Sequence, residues 1–153
     1  MPMLGATLTP HPPVLLSEVG RGKELEIDAT DRAMRAAAEE VARWEPDVLI
    51  VSSPHTILYG DYFHISPGSS GVGSMAAFGA PKVRIEAQYD AQLRDEIVRR
   101  AQTAGLEAGT LGERDPQLDH GVLIPLSFLR RAGVVCPIVR MGLSGFSALA
   151  HYR

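Results

Sequence analysis

The sequence holds one cysteine, Cys136, in 153 residues. That excludes an internal disulfide framework and an all-cysteine metal site. Aromatic residues make up 6%, too few to assign any of them to stacking on a ligand. Neither sign of charge dominates: Lys+Arg 15 against Asp+Glu 18 leaves a formal net charge of −3. Nucleic-acid-binding domains are usually basic, so no nucleic-acid partner is expected. No apolar run reaches the ~18 residues a membrane helix needs. The longest, residues 121–129, is short and carries Pro125. The N-terminus lacks a basic region followed by an apolar run, so no secretory signal is read there. No membrane partner and a cytoplasmic location are the expectation. No internal repeat and no second domain are apparent.

What is present is ordinary for a globular chain: 45% hydrophobic and 22% charged residues. The length suits one domain over residues 1–153, large enough to bury a core without staples. Gly 15 and Pro 11 together imply many loops. Residues 3–8 are apolar and β-capable, ending at Thr9-Pro10, and read as a buried strand. Residues 23–44 carry Leu25, Ile27, Ala33, Met34, Ala37, Val41 and Trp44 near a 3.6 period, the stripe of an amphipathic helix. Pro46 ends it, because the residue before a proline avoids the helical region. The run Asp47-Val48-Leu49-Ile50-Val51-Ser52 reads as a central parallel strand.

Further on, residues 62–66 suggest a short strand, and residues 67–79 a flexible Gly/Ser-rich loop. Residues 82–87 alternate as a half-exposed strand. Asp90 caps a helix running to about residue 104, stopped by Gly105. Residues 106–110 suggest another short strand. Residues 121–131 read as a helix disturbed at Pro125, residues 134–141 as a buried strand, and residues 144–153 as the start of a helix. Helical and buried-strand patterns in alternation predict an α/β fold. Specifically, a three-layer α/β/α domain is expected, with a central mostly parallel or mixed sheet that is incomplete at its C-terminal end.

Three of the five histidines share a context. His11 follows the first expected strand in Thr9-Pro10-His11-Pro12-Pro13. His55 follows the second in Ser52-Ser53-Pro54-His55. Open α/β sheets form their sites outside the carboxyl ends of strands. The pair therefore reads as two candidate metal ligands. Two histidines and one carboxylate make the non-haem iron(II) arrangement, while imidazole also suits zinc, copper and nickel. The alternative is that each histidine caps a loop or bonds a backbone carbonyl. His120 lies in Leu118-Asp119-His120-Gly121, where Asp119 could orient it or raise its pKa. That suits a general acid/base, against the alternative of a helix-capping Asp119 followed by a solvated histidine. Ser52 and Ser53 lie near His55 without a Gly-x-Ser-x-Gly elbow, which gives a serine hydrolase little support.

Three blocks carry a resemblance: Thr9-Pro10-His11-Pro12-Pro13, Pro46-Asp47-Val48-Leu49-Ile50-Val51-Ser52-Ser53-Pro54-His55 and Leu118-Asp119-His120-Gly121-Val122-Leu123-Ile124-Pro125-Leu126. Together they resemble the class III extradiol ring-cleavage dioxygenase superfamily, catalytic B-subunit type. They are most similar to the branch at the N-terminus of AmmeMemoRadiSam system protein A, which Phe78-Gly79-Ala80-Pro81 also fits. The resemblance covers essentially the whole chain. It implies an α/β fold and a mononuclear Fe(II) site with His11 and His55 as ligands. It implies His120, beside Asp119, as the acid/base during oxygen attack and ring opening. Its partners would be a small aromatic diol and dioxygen.

The family's third ligand is an acidic residue in a later segment, often near Gly-Asp-Leu-Ser-His. Gly142-Leu143-Ser144-Gly145 does not match it. The chain is therefore expected to be the N-terminal part of a longer protein. It should bind Fe(II) weakly, with Zn or another divalent metal as alternatives, and show impaired ring cleavage. An unpaired sheet edge would favour a homo-oligomer. A ligand from within the chain would come from Asp61 or Glu18. Memo-type relatives suggest a non-catalytic metal-binding or signalling role instead, and a metal-dependent hydrolase ranks below both.

Overall fold

A computed structural model describes residues 2–152. In chain order the regular elements are α1 (Ser17–Gly20), α2 (Asp28–Arg43), β1 (Leu49–Ser53), β2 (Phe63–His64), β3 (Ser70–Met75), β4 (Ala80–Gln88), α3 (Ala91–Thr103), β5 (Ala108–Gly109), α4 (His120–Arg131) and β6 (Ile138–Gly142). Short 3-10 turns at Pro13–Leu15, Lys23–Ile27, Ala76–Phe78 and Ala148–Tyr152 join them. The fold is mixed α/β, as the alternating patterns require.

β1 and β6 pair in parallel, from Leu49 opposite Ile138 to Ser53 opposite Gly142. β2 pairs with β5 in parallel, and β3 with β4 antiparallel. Single bridges, Ile65 to Met141 and Tyr89 to Ile138, tie the other two pairs to β6. The sheet is thus three two-stranded units gathered on one strand rather than one continuous ladder. Paired residues share a face. One face therefore presents Leu49, Val51 and Ser53 beside Ile138, Arg140 and Gly142. Its lower half is apolar and packs on α4. Its upper half, at the carboxyl ends of the strands, is polar. Val139 and Ile65 are buried as well, and α3 packs on β5 and β6.

α4 is buried almost all round, from Gly121 through Phe128, because it lies between the sheet and α2. Such a position demands an apolar helix. The helix runs continuously through Pro125, which frees the Gly121 carbonyl of one bond without breaking the rod. α2 buries Met34, Ala38 and Val41, and its first turn is a 3-10 turn at Lys23–Ile27 rather than part of the helix. Asp90 caps α3 by accepting from the Leu93 amide at 2.8 Å, and the chain leaves through Gly105 at φ +72°.

Three expectations of secondary structure need correction. Residues 3–8 form no strand: Met3 and Leu8 are 88% and 102% exposed, and no ladder partner meets them among the described residues. β propensity alone does not order a segment that lacks an edge to pair with. The Gly/Ser-rich stretch, conversely, is strand β3. Gly71, Gly73 and Met75 alternate inward, and Tyr89 and Leu118 crowd the two glycines so closely that no side chain would fit. The helix expected at residues 144–153 reduces to the 3-10 turn Ala148–Tyr152, and Arg153 lies outside the described residues.

Candidate metal centre

His11, His55 and His120 converge. Their ligating nitrogens all lie within 4.8 Å of one another. Each arrives by a different route. His11 is fixed from behind: the turn Pro13–Leu15 closes with the Leu15 amide on the Pro12 carbonyl at 3.1 Å. Leu15 and Leu16, 2% and 0% exposed, anchor that turn in the core. His55 stands two residues past the end of β1, and its amide donates to Ser53 Oγ at 3.1 Å. The Thr56 hydroxyl donates to the Ser53 carbonyl at 3.0 Å and fixes the same turn. His120 is the first residue of α4, capped by Asp119, whose Oδ1 accepts from the Gly121 amide at 2.9 Å.

The nitrogens of His11 and His55 approach to 2.9 Å, Nε2 to Nε2. Two imidazole ligands at ~2.0–2.1 Å from one ion, about 90° apart, stand about 2.9 Å from each other. The spacing of the pair therefore matches two ligands of one divalent ion. The His120 ring lies over the His55 ring, centroids 4.0 Å apart and planes 33° inclined. It faces the same space from the side.

The electrostatics favour neutral imidazole at His120. Burial lowers its pKa most and the neighbouring His55 next; Asp119 raises it by less than either, and His11 lowers it least. The expectation that Asp119 would orient His120 takes a different form here. No hydrogen bond joins the two among the described residues. The carboxylate instead accepts from Ser53 Oγ at 2.6 Å and faces Arg140, whose Nη2 lies 3.5 Å from Oδ2. Asp119 thus fastens the helix start to the sheet.

No carboxylate belongs to the cluster among the described residues. Asp61 is exposed, and Glu18 bonds Ser17 and approaches Arg131 at 4.0 Å. Arg140 is a neighbour that sequence reasoning missed, and Ser53 and Phe78 are named by that reasoning without a role in the site. Arg140 had a visible signal, a cation inside an apolar strand run. Ser53 had less, since a serine beside a strand-end histidine is common. The Phe78 ring sits 5.1 Å from His120, edge to face, and is 38% exposed. Gly121 has a reason for being glycine: a Cβ there would overlap Ser53 Oγ and come within 3.1 Å of His55 Cδ2.

The fold and the cluster define an α/β protein with the donor set for a divalent metal at the carboxyl end of its sheet. Residues 5–153 match the family described as the catalytic LigB subunit of aromatic ring-opening dioxygenase, and the chain belongs to that family. It is also similar to Protein CA_C1420 of Clostridium acetobutylicum, 30% identical over 169 residues. That alignment covers 100% of this chain and 34% of the relative, so the chain spans about a third of the length of the curated relative it matches. No helix among the described residues is long and apolar enough to cross a membrane.

Proposed function

We propose that the chain forms the histidine side of a ferrous centre for extradiol cleavage of a catecholic aromatic. The observation that carries this is the 2.9 Å approach of His11 and His55 with His120 beside them, in a chain of this family. His11 and His55 would hold the ion. When bound, ferrous iron would supply the redox chemistry that joins dioxygen to a catecholate. His120, kept neutral by burial and its histidine neighbours, accepts a proton from a substrate hydroxyl and returns it during ring opening. Phe78 offers an apolar wall beside His120 for the flat face of the ring. Asp119 keeps His120 at the mouth of the site by capping its helix.

A two-histidine, one-carboxylate triad needs an acidic ligand, and none joins this cluster among the described residues, so the expectation for this chain is weak ferrous binding and impaired turnover. The test is anaerobic ferrous loading followed by dioxygen uptake on a catechol panel. Iron binding should require His11 and His55, and any ring cleavage should require His120. Equal iron binding by His11→Ala/His55→Ala protein, or undiminished cleavage by His120→Ala, overturns the reading. One observation favours a second reading. Three imidazoles without a carboxylate are a zinc donor set of the hydrolytic kind. Tight zinc binding with no oxygen uptake would select it.

A further inference from the structure

We propose that Arg140 is a positioning residue of the histidine centre: by holding the Asp119 carboxylate, it sets the spacing between the turn that carries His55 and the helix start that carries His120. The inference rests on the metal-centre reading for its effect on ion binding, and on geometry alone for its effect on the two rings.

Arg140 is a cation in a strand whose neighbours are Ile138, Val139 and Met141, and it is only 3% exposed. Burying a guanidinium is costly unless it is paired. Its Nη2 faces Asp119 Oδ2 at 3.5 Å, its Nη1 reaches Ser66 Oγ at 3.3 Å and the Asp115 carbonyl at 3.4 Å, and its Nε has no partner. Asp119 is the one carboxylate among these acceptors. Its other oxygen takes Ser53 Oγ at 2.6 Å and the Gly121 amide at 2.9 Å. Ser53 Oγ in turn accepts from the His55 amide at 3.1 Å. One carboxylate therefore joins three elements: β6 through Arg140, the end of β1 through Ser53, and the start of α4 through its own backbone. Ser53 and Arg140 share a face of the sheet, so the strut spans β6 and the end of β1 on that face.

Without the cation, the carboxylate has no charge to hold it inward. It turns toward solvent, releases Ser53, and the two histidine-bearing segments move independently. Removing one partner of a buried ion pair destabilises the fold because it leaves the other charge uncompensated, whereas replacing both partners with uncharged groups is often close to neutral. Site geometry and fold stability should therefore separate in the double variant, where neither charge remains, which a merely structural role would not produce.

The experiment compares wild type with Arg140→Met, Asp119→Asn, the double variant and Arg140→Lys. The first readout is the nuclear Overhauser contact between the His55 and His120 imidazole protons in metal-free protein, whose rings lie 4.0 Å apart. The second is Co(II) affinity with its visible absorption. Arg140→Met should keep a cooperative melt yet lose the ring contact, and bind Co(II) about 10–100-fold more weakly. Arg140→Lys should recover part of both. Adding Asp119→Asn to Arg140→Met should cost less than about threefold more, because both act through one carboxylate. Wild-type ring contacts in folded Arg140→Met, or additive losses in the double variant, overturn the inference. Should Arg140→Met fail to fold, Arg140→Lys and Asp119→Asn carry the same readouts. Loss of the ring contact in a protein whose wild type binds no Co(II) would overturn the metal-centre reading and uphold the role of Arg140.

Discussion

Two segments of this chain look alike in sequence and differ in structure. Residues 3–8 and β1 are both short, apolar and β-capable, and both run into a Pro-His pair. β1 pairs along its whole length with β6, and its inward residues meet α4. Residues 3–8 meet no ladder among the described residues, and Gly5 lies against the Trp44 ring with no room for a Cβ. Both nevertheless deliver a histidine to the same few ångströms. A strand is thus one way to aim a strand-end histidine, and an anchored turn after it is another. His11 owes its place to Leu15 and Leu16 behind it rather than to the segment before it.

That contrast can be broken most sharply by stability. Ile138→Ala removes a side chain 1% exposed at the β1–β6 seam and should cost about 2–5 kcal/mol in denaturant unfolding. Leu8→Ser, at a fully exposed site, should stay within about 0.5 kcal/mol of wild type. Comparable losses would mean that residues 3–8 pack as a strand after all. Amide exchange sharpens the same point: the β1 amides should be protected, and those of residues 3–8 should exchange freely.

Metal titration tests the other half of the comparison. His11→Ala and His55→Ala should weaken Co(II) binding alike, each by more than about 100-fold, since loss of a ligand exceeds loss of a supporting group. A much smaller effect at His11 would show that its anchored turn aims it less well than β1 aims His55. Gly121→Ala comes next. Its methyl would collide with Ser53 Oγ, and overpacking there should cost about 1–3 kcal/mol and lower the melting temperature.

The smallest expected effect is a pH dependence. His64 is buried, and burial first and Arg140 second hold its imidazole below the ordinary histidine range. The unfolded chain therefore takes up a proton before the folded one as pH falls. The stability this supplies is fully present above about pH 6.5 and is lost as pH drops from there through the lowered folded value. His64→Leu should flatten that part of the stability profile, and an unchanged slope would assign the pH dependence to other groups.

Much of this was legible in the residue order. The stripe of α2, the alternation of β4, the Asp90 cap and Gly105 stop of α3, and the apolar run of α4 are local patterns. Each depends on a period or a single backbone requirement. The three histidines stood out because prolines and an Asp-His-Gly step flank them at element ends. β3 hid behind its composition: glycine usually signals a loose loop, and only the crowding by Tyr89 and Leu118 shows why small residues alternate there.

By itself, the sequence determined the bodies of helices α2, α3 and α4, the buried run of α4, and which three imidazoles would follow strand-like runs or open a helix, because those properties follow from neighbours a few residues away. Only the tertiary structure decided that residues 3–8 remain unpaired, that Asp119 bonds Ser53 and faces Arg140 rather than orienting His120, and that His11 and His55 meet at 2.9 Å. The physical reason is separation along the chain. A ladder, a buried ion pair and a shared ligand space each need two surfaces brought together from tens of residues apart, and no local preference specifies which surfaces those are.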